Sequence, residues 1–111
     1  MTCRHALGQF EQLLLLAVMR LGDDAYGVAM RREIEERTGR GVSPGAIYPT
    51  MDRLEAKGYV SSYMGDATPE RGGRARRYFR LEPMGHEALR SAHAAFSCMW
   101  QGFEPTPEER A

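Results

Sequence analysis

The stretch SPGAIYPTMDRLEAKGYV, Ser43 to Val60, is written as a helix that carries a proline in its interior. Ser43 is a capping residue type, and Pro44 suits the first helical position, where its missing N–H costs nothing. Gly58 supplies a stop. Pro49 lies well inside, where it removes a backbone donor and costs about 3 kcal/mol. On a helical wheel Ile47, Met51 and Leu54 form the buried stripe. The opposite side carries Gly45, Ala46, Pro49, Asp52 and Arg53, with Tyr48 and Thr50 on the flanks. Pro49 therefore falls away from the core, and its ring opposes the carbonyl of Gly45, where glycine leaves the backbone room to adjust. The alternative is that Pro49 ends a short first turn and the helix restarts. A helix whose outer face is stripped of long side chains can lie close to another surface. A recognition helix entering the DNA major groove needs that approach at its N-terminal end. Its free N–H groups also favour phosphate. Asp52 is awkward near phosphates; it accepts from a cytosine amino group or pairs with a nearby arginine.

The flanking segments supply the rest of a small domain. Phe10, Leu13, Leu14, Ala17, Val18 and Leu21 recur at helical steps, which predicts a first helix over Gly8 to Leu21. Leu15 and Leu16 make it apolar nearly all round, as befits a central, buried helix. Asp24 is placed to cap a second helix, Ala25 to Thr38, closed by Gly39. Its inner face holds Tyr26, Ala29, Met30 and Ile34, and its outer face Arg31, Arg32, Glu35 and Glu36. The third helix spans Pro44 to Lys57. Two β-prone segments follow, Tyr59 to Met64 and Arg74 to Leu81, separated by a turn-rich loop, and they read as a hairpin. Pro83 opens a fourth helix that reaches about Trp100 or beyond. The short GRGVS turn between helices two and three suits a helix-turn-helix. The fold class is α+β, mostly α: a winged helix-turn-helix with an additional C-terminal helix. Other small α+β domains share this order. The expected organisation is a winged helix domain over 1–81, a dimerisation helix over 82–104 and a disordered tail over 105–111.

Net charge is zero, so the distribution of charge matters more than its sum. Between Arg31 and Arg80 there are eleven basic residues against seven acidic ones, balanced by Glu104, Glu108 and Glu109 near the end. Arg71, Arg74, Arg76, Arg77 and Arg80 form a run without an acid, and Gly72 and Gly73 within it permit close approach to a backbone. Arginine suits phosphate because its fork bonds in bidentate fashion. Strand alternation puts Arg74, Arg76, Tyr78 and Arg80 on one face, and Ala75, Arg77, Phe79 and Leu81 on the other, which is more apolar and faces the core. Arg77 sits awkwardly there, at a solvated strand end. Arg71, Arg74 and Arg76 are the better phosphate candidates.

Several function classes are set aside. Cys3 and Cys98 make neither a disulfide framework nor a metal ladder and point to a reducing compartment. Cys98, beside the apolar seam of helix four, reads as a plain buried thiol, with a redox sensor as the alternative. The longest apolar run, Leu13 to Met19, is far short of the roughly 20 residues that span a bilayer. The expected location is the cytoplasm, with no membrane contact. His86 and His93 stand about 10 Å apart along a helix, too far for one metal. No nucleophile, base and orienter occur as a set, so no enzyme, metal or cofactor is expected.

In helix four, Leu89, Ala92, Phe96, Met99 and Phe103 recur at three- and four-residue steps beside Trp100. Three helices and a hairpin already fill a winged-helix core, which leaves the aromatic end uncovered and calls for a partner. The expected partner is a second copy, packed through helices four and one. Phe96, Met99 and Trp100 are placed to wall an apolar effector pocket at the dimer axis.

These residues resemble the PadR family of bacterial transcriptional regulators over about Leu13 to Leu89. The likeness rests on DAYGVAMRREIEERTG, on Tyr48, Pro49, Leu54, Glu55 and Gly58 in helix three, and on Tyr78, Phe79, Arg80, Leu81, Pro83 and Gly85 across the wing. Glu82 stands where the family commonly has threonine, which weakens the cap of helix four. The resemblance implies a dimeric winged helix that binds an inverted-repeat operator in double-stranded DNA, usually as a repressor, with release by a small molecule in many members. Planar apolar effectors between the dimerisation helices occur among its short members. The residues assigned to DNA are Ser43, Gly45, Ala46, Tyr48, Pro49, Thr50, Arg53, Arg71, Arg74 and Arg76. A different class of function, a protein-interaction module whose arginine wing grips an acidic partner, shares the same layout.

Overall fold

The computed structural model describes residues 7–66 and 75–105. Expectations that rest on Cys3, on Arg71, Gly72, Gly73 and Arg74, or on the tail over 106–111 lie outside the described residues. The chain folds as α1 (Gln9–Leu21), a short 3₁₀ turn (Gly22–Asp24), α2 (Gly27–Thr38), α3 (Pro44–Ala56), β1 (Val60–Met64), β2 (Arg77–Leu81) and α4 (Pro83–Trp100). This is the mostly helical α+β layout expected.

Helix α1 buries Leu14, Leu15, Ala17 and Val18, but Leu16 and Met19 are exposed, so it is not enclosed on all sides. Asp24 does not cap α2. Residues 25 and 26 stay extended and pair with the hairpin: Phe79 N–H donates to the Ala25 carbonyl at 2.8 Å, and Tyr26 bridges Tyr78 in antiparallel fashion. Helix α2 therefore begins at Gly27, with Tyr26 as its N-cap and the Tyr26 carbonyl accepting from Met30 N–H. Met30 and Ile34 face inward and are buried, while Tyr26 and Ala29 are only half-buried. Gly39, at φ +72°, ends the helix in the left-handed region that glycine enters without penalty. The Glu35 carboxylate then reaches over the turn and accepts from Val42 N–H at 3.0 Å.

Helix α3 runs unbroken through Pro49, so the proline does not split it. Pro49 and the Gly45 carbonyl it deprives of a donor both belong to exposed residues, where water replaces the lost bond. Ser43 caps with its carbonyl, which accepts from Ala46 N–H; its hydroxyl makes no capping bond. The helix ends in a Schellman motif. Gly58 adopts φ +84°, its N–H donates to the Glu55 carbonyl, and Tyr59 N–H donates to the Leu54 carbonyl. That turn sends the chain directly into β1.

Strands β1 and β2 pair antiparallel, from Val60 opposite Leu81 to Met64 opposite Arg77. Phe79 is almost fully buried and belongs to one core cluster with Leu14 and Leu15 of α1, Met30 of α2, and Met51 and Leu54 of α3. Helix α4 is pinned at its base. Glu82 N–H donates to the Tyr59 carbonyl, and Gly85 lies so close to β1 that a Cβ there would collide with the Tyr59 carbonyl oxygen and meet Leu81 Cδ1 at 2.8 Å.

Gly85→Ala is expected to destabilise the protein by about 1–3 kcal/mol, since backbone lies in the way of the added methyl. Gly45→Ala, whose Cβ would meet only Ser43 Oγ at 4.0 Å, is expected to leave stability unchanged or raise it by up to about 1 kcal/mol. Urea denaturation of the two variants checks the contrast.

Candidate nucleic-acid interface

The outward side of α3 carries few long side chains. Gly45, Pro49 and Arg53 are exposed, Ser43 is exposed at the cap, and Ala46 is half-buried. Thr50 is placed otherwise: it is 4% exposed, and its hydroxyl donates to the Ala46 carbonyl at 2.8 Å while accepting from Arg53 Nη2 at 3.2 Å. It therefore braces the backbone beside Pro49 and orients Arg53. Tyr48 is partly exposed, but its hydroxyl is wedged against the start of α2. A Cβ on Gly27 would lie 2.5 Å from that oxygen, and the Tyr48 ring centroid is 6.3 Å from that of Phe79. Tyr48 thus sets how α2 and α3 cross.

The hairpin is tied to α3 through Arg77. Its Nη1 lies 2.9 Å from Asp52 Oδ1 and its Nη2 2.8 Å from Glu55 Oε1, and its guanidinium stands 4.8 Å from the Phe79 ring centroid. The Ser62 hydroxyl donates to the same Glu55 carboxylate at 2.9 Å. Partial burial works against the Arg77 charge, but the bonds to Asp52 and then Glu55 outweigh it and hold its pKa above the ordinary value. Arg77 is therefore not a loosely solvated strand end. Asp52, left open between two partners by the sequence, pairs with an arginine, which removes a bare carboxylate from the face of α3.

Arg76 extends over the Tyr26 ring at 4.0 Å from its centroid. Tyr26 meets Tyr78 edge-on, Tyr78 stacks on Tyr63, and Arg80 covers Tyr63 at 5.1 Å. An arginine–tyrosine ladder thus crosses the outer side of the hairpin. Between α2, α3 and the hairpin lies a cleft of about 350 Å³, lined among others by Tyr26, Arg32, Tyr48, Met64 and Arg76. Arg32 and Arg76 have no ion-pair partner among the described residues. Sequence reasoning placed Tyr26 in the core and Arg32 on a solvated face, so it missed both. The extended pairing of Tyr26 with Tyr78 is what brings them to the hairpin.

On α4 the expected seam divides. Leu89 is buried in the core and Ala92 is half-buried, whereas Phe96, Met99, Trp100 and Phe103 are 65%, 82%, 47% and 78% exposed and surround a shallow apolar depression of about 290 Å³. The helix stops at Trp100, and Phe103 joins the group from beyond a turn in which its N–H donates to the Trp100 carbonyl. Cys98 is exposed, not buried as expected, because nothing among the described residues covers this part of the helix.

The family model described as "Transcriptional regulator PadR-like family" matches residues 15–91. Transcriptional regulator Rv3488 of Mycobacterium tuberculosis (strain ATCC 25618 / H37Rv) is 40% identical over 67 residues, which are 60% of this chain and 58% of that protein. The match thus spans less than two thirds of that relative's length. Among solved structures, a PadR family transcriptional regulator from Eggerthella lenta DSM 2243 superposes with a TM-score of 0.67 at 27% identity, covering 82% of this chain and 77% of that one. A transcriptional regulator from Clostridium thermocellum shares the fold with a TM-score of 0.69 at 24% identity, covering 82% and 85%.

Arg77→Gln and Glu55→Gln are each expected to destabilise the protein by about 1 kcal/mol, a magnitude reduced by partial exposure of the pair. The double variant is expected to show a coupling of about 0.5 kcal/mol or more. Purely additive effects in a urea-denaturation cycle would contradict the clamp.

Proposed function

The chain belongs to the transcriptional regulator PadR-like family, and from that membership we propose that it is a homodimeric, sequence-specific DNA-binding regulator. Members of the family are transcriptional regulators rather than enzymes. The observation that carries the reading is the outward side of α3. Gly45, Ala46 and Pro49 leave the backbone accessible, Arg53 stands beside them, and Arg77 neutralises the neighbouring Asp52. Such a surface enters a major groove without steric or charge conflict. The hairpin, with Arg76 and the arginines at 71 and 74, supplies phosphate contacts, which fix register without reading sequence.

The operator is an inverted repeat, because a two-fold dimer presents two equivalent recognition helices. Phe96, Met99, Trp100 and Phe103 form the part of the α4 seam that the domain leaves uncovered, and a second copy covers it together with α1. Leu89 and Ala92 support the same helix from the core side. The protein represses a nearby operon in the cytoplasm, and a planar apolar molecule bound among Phe96, Met99 and Trp100 releases it. Among the described residues no helix is long and apolar enough to cross a membrane.

Labelled duplex from the DNA flanking the protein's own gene, at physiological salt and against scrambled competitor, is expected to bind with a Kd of about 10⁻⁸ M or tighter. Binding no tighter than to the scramble, in that fragment and in a selection from random duplexes, would contradict the reading and favour an acidic protein partner for the arginine wing. Sedimentation at micromolar concentration is expected to give twice the chain mass, and Phe96→Ala combined with Trp100→Ala is expected to shift it toward the monomer. A wild-type monomer at that concentration would overturn the dimer.

A further inference from the structure

The cleft between α2, α3 and the hairpin has a composition that neither the core nor the α3 surface explains. It gathers Arg32, Arg76 and the side chains of Tyr26 and Tyr48 around one opening of about 350 Å³. Its two arginines lack carboxylate partners among the described residues, while Arg77 at its edge already holds Asp52 and Glu55. Charge without an internal counterion, set in a concave site, is the arrangement that takes an anion. Arg76 is also held in place before any ligand arrives, because its guanidinium rests on the Tyr26 ring at 4.0 Å. Tyr26 in turn is fixed from both sides, by its bridge to Tyr78 and by the start of α2.

The position of the cleft says which anion. If α3 enters a major groove and the hairpin approaches the adjoining minor groove, the strand that divides the two grooves must cross between them. The cleft is lined by Tyr48 of α3 and by Arg76 at the loop end of the hairpin, so that strand passes over it. We propose that the cleft is a phosphate seat for the duplex backbone: Arg32 and Arg76 grip one phosphate there, and Tyr26 is the positioning residue that holds Arg76 ready. The inference rests on the DNA-binding reading and adds Arg32 and Tyr26 to the interface, on α2 rather than α3 or the wing. It also gives Tyr48 a place as a wall of the seat rather than a reader of bases.

The test is the salt dependence of binding by the full chain to the operator fragment and to a mixed-sequence duplex of equal length. A lost phosphate contact lowers the magnitude of the log K against log salt slope by about one and weakens both duplexes alike. Arg32→Gln and Arg76→Gln are each expected to do this, with the ratio between the two duplexes unchanged. Arg76→Lys is expected to keep the slope. Tyr26→Phe, which preserves the ring, is expected to behave as wild type. Tyr26→Leu is expected to weaken binding when Arg76 is present and to have no further effect in an Arg76→Gln background, a dependence that a purely structural role would not produce. Arg90→Gln, on exposed α4 beside Glu87, serves as the control. Folded Arg32→Gln and Arg76→Gln proteins that retain the wild-type slope would overturn the seat while leaving the regulator reading intact. A wild-type protein that binds neither duplex would overturn that reading, and the seat with it.

Discussion

Arg77 reaches from the second strand of the hairpin to two carboxylates one turn apart on α3, and the relative placement of α3 and the hairpin follows from that grip. One guanidinium spans Asp52 and Glu55, and Ser62 of the facing strand bonds to Glu55 as well. Helix α3 and both strands of the hairpin are thereby joined. The pair is partly exposed, so its contribution to stability is moderate. Its larger consequence is spatial. A two-stranded hairpin alone is marginal in water; Arg77 and Ser62 join its loop-side half to α3 and fix the distance and angle between them. The same contact keeps Asp52 from presenting an unpaired negative charge on the face proposed to meet DNA.

A second set of contacts fixes α2 against this unit. The Tyr48 hydroxyl fits only because residue 27 has no side chain, and the two residues before it are held to β2 by the Tyr26–Tyr78 bridge and the bond from Phe79 N–H to the Ala25 carbonyl. Two close approaches of backbone, at Gly27 and at Gly85, therefore decide the shape of the domain: one sets the helix-turn-helix angle and the other anchors α4. Beyond Leu89 the last helix leaves the core, and its aromatic end is exposed among the described residues.

Much of this was legible in the sequence wherever the cause was local. The ends of α2 and α3 followed from Gly39, Pro44 and Gly58, each fitted to one backbone conformation, and the buried stripe of Ile47, Met51 and Leu54 followed from helical spacing. What failed to show was long-range. Asp24 resembled a cap, but a strand fifty residues later captured Ala25 and Tyr26 and delayed the helix. Strand alternation turned Arg77 inward correctly, yet nothing nearby in the chain named Asp52 and Glu55 as its partners. Leu89 has the spacing of the α4 seam but is claimed by the core, a competition that periodicity does not record. Thr50 looked like a flank residue because the wheel gives direction and not depth of burial.

We propose that Arg77 is an internal clamp which aligns α3 and the wing for a duplex and is not itself spent on phosphate. A structure of the protein bound to its operator duplex tests this most directly. The account predicts that Arg77 keeps both bonds, to Asp52 and Glu55, while Gly45, Ala46, Pro49 and Arg53 face base edges in the major groove. Arg77 found on a phosphate with its two acids released, or α3 found outside the groove, would contradict it.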